Sequence, residues 1–183
     1  MVKTEVQGIK VRLTPSWQGG LWPIANKSGG YHGLFKKWFA HFGLEGTGLV
    51  IGEPGESGEA VKNAFKSEYG VEVYSVDLSK ADIVWDITKP LETEKEYDWI
   101  VCQAVLEHVS DPVAAVRNMG NILKKGGRLY IHTCGPGFQY HPNPTDCFRF
   151  FRDALIAMAE VADLEIDDLL WTTLHCFAVY RRR

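Results

Sequence analysis

The chain has 183 residues, 45% hydrophobic and 23% charged, with 20 basic and 23 acidic side chains and a formal net charge of −3. That length suits one domain with a buried core, and the composition is that of an ordinary globular protein. The charge balance offers no polyanion-binding surface, no apolar run approaches the ~20 residues of a membrane span, and residues 1–10 lack a signal-peptide core. The expectation is therefore a cytoplasmic protein with neither nucleic acid nor membrane as partner. Cys102, Cys134, Cys147 and Cys176 include no CxxC pair. Neither a zinc motif nor a disulfide framework is expected, and no metal ligands are assigned. The Arg181–Arg183 run reads as a solvated tail.

In chain order, Val6–Leu13 reads as a short strand and Pro15–Gly30, rich in Gly, Trp and Pro, as loop. Leu34, Phe35, Trp38, Phe39 and Phe42 fall at helical spacing across Tyr31–Phe42, and Gly43 stops that helix. Strands and helices then alternate. Gly48–Ile51 is a buried strand and Gly58–Tyr69 a helix stopped by Gly70. Val71–Val76 is a β-branched second strand, Ile83–Trp85 a short third and Trp99–Cys102 a fourth. Asp111 caps a helix that has Pro112 at its first position and ends at Gly126. Arg128–Thr133 is a fifth strand, and Asp153 caps a further helix. Leu164–Leu170 and Leu174–Tyr180 form an antiparallel hairpin. This alternation predicts an α/β, doubly wound, mainly parallel sheet that binds ligands at the carboxyl ends of its strands.

The loop Gly52-Glu53-Pro54-Gly55-Glu56-Ser57-Gly58 links the first strand to a helix. Glycines there permit tight turning and close backbone approach, and the helix start offers N–H groups to an anion. A plain strand-to-helix turn has the same pattern. Asp77 ends the second strand 19 residues after Gly58, where a carboxylate can accept both ribose hydroxyls, or simply cap a turn. Loop and acid together point to an adenosine-containing ligand without separating NAD from S-adenosylmethionine.

The segment from Tyr97 to Arg128, YDWIVCQAVLEHVSDPVAAVRNMGNILKKGGR, resembles the class I S-adenosylmethionine-dependent methyltransferases. The closest likeness is to the branch with an LEHV motif after the fourth strand. The resemblance implies a seven-stranded Rossmann-like sheet with a C-terminal antiparallel hairpin, in one domain. Residues 1–45 would be an N-terminal cap and helix, 46–133 the cofactor-binding core, and 134–183 the acceptor loop, helix and hairpin. It implies S-adenosylmethionine as cofactor. Gly52, Gly55 and Gly58 would line its methionine and ribose side, Asp77 with Leu78 its ribose, and Asp86 and Ile87 its adenine. Gln103 and Ala104 would lie beside the methionine portion, with His108 nearby. His108 also reads as a packed structural histidine, and Glu107 as a solvent-facing or helix-start charge. The sequence departs from the family where an acid often precedes the glycines. Val50 or Gly52 stands there, and Glu53 is the candidate substitute.

The long stretch from His132 to Phe150 concentrates His, Asp, Arg and aromatic residues, and long ordered loops tend to carry function. Its HPxPxDxxRF core (His141, Pro142, Pro144, Asp146, Arg149, Phe150) resembles methyltransferases of the glycan-modifying type. His141 is the candidate base, with Asp146 orienting it or acting alone. Arg149 would bind an acidic group on the acceptor or pair with Asp146 to pin the loop. Tyr140 and Phe138 would stack on a ring or close the lid, and Trp17, Trp22 and His32 would cover the same mouth. The expected activity is O-methylation of a small, polar, sugar-like acceptor. A non-catalytic cofactor- or partner-binding module is the alternative, and a nicotinamide oxidoreductase leaves LEHV unexplained.

Overall fold

A computed structural model describes residues 2–6, 9–13, 32–142 and 145–183, with side chains from Phe35 onward. Val2–Val6 (β1) and Ile9–Leu13 (β2) pair antiparallel in a ribbon of their own, where one strand over Val6–Leu13 was expected. The loop assigned to Pro15–Gly30 and the side chains of Trp17, Trp22, His32 and Leu34 lie outside the described residues.

The rest is one seven-stranded sheet and its helices. Helix α1 spans His32–Phe42 and stops where Gly43 returns its N–H to the Phe39 carbonyl at 2.9 Å. Strand β3 (Thr47–Ile51) leads to α2 (Gly55–Tyr69), which ends at left-handed Gly70. Next come β4 (Glu72–Asp77), the two-residue β5 (Ile83–Val84) and β6 (Tyr97–Gln103). Helix α3 (Pro112–Asn121) starts as predicted, with the Asp111 carboxylate accepting the Ala114 N–H at 2.9 Å.

Three helix boundaries differ from the sequence reading, the first at α2, which begins at Gly55 rather than Gly58, so that Gly55–Gly58, read as loop, form its first turn. Helix α3 ends at Asn121 rather than Gly126, because Leu123 already pairs with Tyr97 and opens the long strand β7 (Leu123–Cys134). Lys124, which follows on β7, binds Asp98 of β6 at 2.9 Å. Helix α4 (Arg152–Val161) begins after Phe151, so Asp153 sits in its first turn instead of capping it. A carboxylate there still faces the positive helix end. Strands β8 (Leu164–Trp171) and β9 (His175–Arg182) close the chain.

The sheet order is β5-β4-β3-β6-β7-β9-β8. The first five strands are parallel, while β9 runs antiparallel to both β7 and β8. The chain starts at β3 and moves outward to β4 and β5, then crosses back to β6 on the other side of β3. The gap between the β3 and β6 tips is the switch point where such sheets bind ligands.

Alternating side chains on these buried strands supply two apolar layers. Leu49, Ile51, Ile100, Leu129 and Ile131 pack with Met119 of α3 and Leu155 of α4. Val50, Trp99, Val101, Tyr130 and Val179 pack under Phe35, Trp38 and Phe39 of α1. The Trp38 indole N–H also donates to Asp168 of β8 at 2.9 Å, tying the first helix to the far sheet edge. Leu129, fully buried in central β7, tests this core. Leu129→Ala is expected to cost about 2–5 kcal/mol in denaturant unfolding, since a cavity remains where the side chain was.

Candidate functional site

The β3 tip makes the first wall. Gly52 follows Ile51 with φ +86°, and its N–H donates to the Val76 carbonyl at 2.8 Å. A Cβ built there would stand 2.5 Å from Val105 Cγ2, so the turn accepts only glycine. Gly58, inside α2, is constrained differently. A Cβ would meet the Glu53 carbonyl oxygen at 2.4 Å, so it sets how closely the helix sits under its own loop. Ala104, at the β6 tip, holds φ +52° and donates its N–H to the His132 carbonyl at 2.9 Å. Such left-handed non-glycine backbone is strained and clusters at functional sites.

Between these tips lies a cavity of about 450 Å³, within the ordinary size of small-molecule sites. Seven of the eleven predicted cofactor residues line it: Gly52, Asp77, Leu78, Asp86, Ile87, Ala104 and His108. Asp77 uses Oδ1 to accept the Ser79 N–H at 3.1 Å. Asp86 accepts the Thr88 hydroxyl at 2.7 Å, and that bond chiefly holds its carboxyl below the usual range, so it is ionised at neutral pH. The Ile87 carbonyl is held by Asn118 of α3 at 3.0 Å, and its buried side chain forms the apolar floor with Trp85. One carboxylate at the β4 tip, a second beyond β5 and an apolar floor suit a nucleoside, with its ribose and base amino groups as donors.

The structure separates the other four predictions from this cavity. Glu53 and Gln103 line a second cavity of about 490 Å³, walled by Phe35, Phe39 and Phe65 between α1 and α2. Ile51 borders both cavities. Glu53 accepts the Ser57 hydroxyl within its own loop. Gly55 lies on the β4–β5 side, giving its N–H to the Lys80 carbonyl at 2.8 Å, and Gly58 is buried beneath the loop. Their place in the site is the turn they shape rather than the wall of the cavity.

The acceptor loop docks on this cavity. Thr145 and Cys147 line it, the Thr145 hydroxyl donates to the His108 carbonyl at 2.8 Å, and Cys147 N–H donates to the Glu107 carbonyl at 2.7 Å. His108 Nδ1 meets the Thr145 carbonyl, which fixes the proton on that nitrogen. Its ring stands edge-on to His141, with centroids 4.9 Å apart.

Asp146 accepts the His141 backbone N–H at 2.7 Å and lies 3.4 Å from its Nδ1. It also forms a two-pronged pair with Arg149, and that guanidinium holds its carboxyl far below the usual range. Arg149 gives its remaining N–H groups to the carbonyls of Phe138, Gln139 and Phe148. All five guanidinium hydrogens are thus engaged within the loop. Of the two roles expected for Arg149, the structure builds the pin and leaves no donor for an acceptor anion. Tyr140 is exposed.

Sequence reasoning missed Glu107. Read as a solvent-facing charge, it is 0% exposed, accepting the Thr133 hydroxyl at 2.7 Å and the Cys134 thiol at 3.1 Å. Burial, then the Glu107 charge, push that thiol well above its ordinary range. Asp82, also unassigned, binds Lys62 of α2 and the Ser75 N–H beneath the ribose side. No periodic signal marks either residue; only the fold turns them inward.

A family model described as a methyltransferase domain matches residues 29–167. The ubiquinone biosynthesis O-methyltransferase of Marinobacter nauticus is 32% identical over 101 residues, covering 55% of this chain and 40% of that protein. The protein of the same name from Pseudomonas putida is 28% identical over 157 residues, covering 77% and 64%. The chain therefore spans about half the length of the curated relatives it matches. An S-adenosylmethionine-dependent methyltransferase from Clostridium acetobutylicum superposes with a TM-score of 0.63 at 11% identity, over 83% of this chain and 90% of that one. The chain belongs to the methyltransferase-domain family, the class I fold that uses S-adenosylmethionine. Among the described residues, no helix is long and apolar enough to cross a membrane.

Asp77→Ala is expected to abolish the thermal shift given by S-adenosylhomocysteine while the variant stays folded by circular dichroism. An unchanged shift would remove Asp77 from the site.

Proposed function

We propose that this chain transfers a methyl group from S-adenosylmethionine to a hydroxyl of a small, polar, sugar-like acceptor seated against the 134–149 loop. The observation that carries the reading is the contact of two rings. His108 lines the nucleoside cavity and touches His141 of the loop, so donor and acceptor sides share a wall. When bound, the cofactor supplies a methyl carbon already activated by the positive sulfur.

The chain's own task is then alignment and proton removal. Asp77 and Asp86 grip the two ends of the nucleoside. The strained Ala104 tip and the Gly52 turn let backbone approach it closely, and a nucleophile must be held within about 3–3.5 Å of the methyl carbon. A sugar hydroxyl carries a proton of high pKa, so a base is needed. His141 Nδ1 faces the Gln139 carbonyl at 3.3 Å and Asp146 at 3.4 Å, which keeps a proton on Nδ1 and leaves the Nε2 lone pair to accept one. Asp146 orients the imidazole through its backbone, and Arg149 fixes Asp146. The O-directed chemistry named for the Marinobacter and Pseudomonas relatives supports a hydroxyl acceptor. The family acid that is absent at Val50 or Gly52 favours the second reading, a cofactor-binding module without turnover.

Thermal shifts with S-adenosylmethionine, S-adenosylhomocysteine and NAD test the donor. A ligand at 100 times its Kd adds about 2.7 kcal/mol. A response to NAD alone would overturn the reading. Turnover against a panel of sugars and phenols tests the acceptor, and binding without turnover supports the second reading. His141→Ala is expected to lower kcat about 10²–10⁴-fold with the cofactor shift intact, the usual contribution of a general base.

A further inference from the structure

We propose that Glu107, Cys134 and His141 form a binding site for a thiophilic divalent cation of the zinc class. Each offers one ligand atom, a carboxylate oxygen, a sulfur and an imidazole nitrogen, and these atoms all lie within 4.8 Å of one another. They come from three places: the segment after β6, the tip of β7 and the acceptor loop. The spacing in sequence, 27 and then 7 residues, matches no metal motif, which is why composition and CxxC counting give no hint of it.

Three further observations point to a cation. Glu107 is 0% exposed, and among the described residues no cationic side chain hydrogen-bonds to it; its acceptors are met only by a hydroxyl and a thiol. The Arg149 guanidinium acts on Glu107 only beyond hydrogen-bonding contact, a buried carboxylate placed so is costly, and a bound cation would lower that cost. The His141 Nε2 lone pair faces Glu107 Oε1 at 4.0 Å, two electron-rich atoms with room for an ion between them. Two of the three ligands also have an outer partner that fixes them. Gln139 and Asp146 hold the far nitrogen of His141, and Thr133 holds the far oxygen of Glu107. Such partners orient metal ligands. Carboxylate, imidazole and a thiolate, formed as Cys134 releases its proton to solvent on metal binding, together suit Zn²⁺ or Co²⁺ rather than Mg²⁺ or Ca²⁺, and three protein ligands leave a fourth position open.

The consequence rests on the methyl-transfer reading above. A cation on Nε2 occupies the atom that would accept the acceptor's proton, so the filled site shuts off transfer. The binding itself needs neither cofactor nor acceptor to be seen.

The test titrates the full chain with Co²⁺ alone and follows the sulfur-to-cobalt charge-transfer absorption, with Zn²⁺ in competition. One equivalent is expected to bind, with the band lost in Cys134→Ser and kept in Cys147→Ser. His141→Ala changes a part-exposed loop position, spares the core and is expected to weaken affinity at least tenfold. The proposal is overturned by the absence of any charge-transfer band, by a band that survives in Cys134→Ser, or by unchanged affinity in His141→Ala. The S-adenosylhomocysteine thermal shift, measured on the same samples, reports separately whether the donor site stands.

Discussion

The parallel pairing of β3 with a neighbour on each side is the constraint from which the rest follows. Val50 meets Ser75 on one side and Val101 on the other, and Ile51 meets Val76 and Cys102. Because the chain leaves this strand toward β4 and later returns to β6, the helices that follow the two strands pack on opposite faces of the sheet and a gap opens between the strand tips. Gly52 then turns away on a backbone geometry that a Cβ would obstruct. Cavity, glycine turn and strained Ala104 are three aspects of one topological event.

The acceptor side is built on different physics. Its loop has little regular structure, so its backbone groups find partners among side chains and loop carbonyls. Arg149 takes three carbonyls and the Asp146 carboxylate, and Glu107 and His108 receive N–H and hydroxyl donors from residues 145–148. Polar networks of this kind specify one arrangement when every member is satisfied. The catalytic geometry proposed for His141 therefore depends on residues that do no chemistry of their own.

The fold was legible wherever a pattern was local. Strand runs such as Leu49–Ile51, the helical spacing of Phe35, Trp38 and Phe39, and the Asp111-Pro112 start each carry their own signal, and the terminal hairpin followed from a short polar gap. Boundaries failed where tertiary contact outweighed local preference, as at Leu123 and Lys124. In the site, Asp77 could be singled out as a carboxylate ending a strand 19 residues after Gly58, and Asp86 only through the family resemblance; both line the cavity. Glu107 could not, because nothing in LEHV distinguishes an outward carboxylate from one that turns toward Thr133. Arg149 was left between two roles, and only the count of its hydrogen bonds decides between them.

The indole of Trp38 grips Asp168 across 130 residues of chain. Phe35 and Phe39, on the same helix, wall the second cavity. A guest wedged between α1 and α2 would therefore push on a lever whose fulcrum is the outermost strand. The edge of the sheet farthest from β5 is mechanically coupled to the helix beside the glycine turn. Drift in the sequence of that remote hairpin would thus reach the wall of the second cavity through this hydrogen bond.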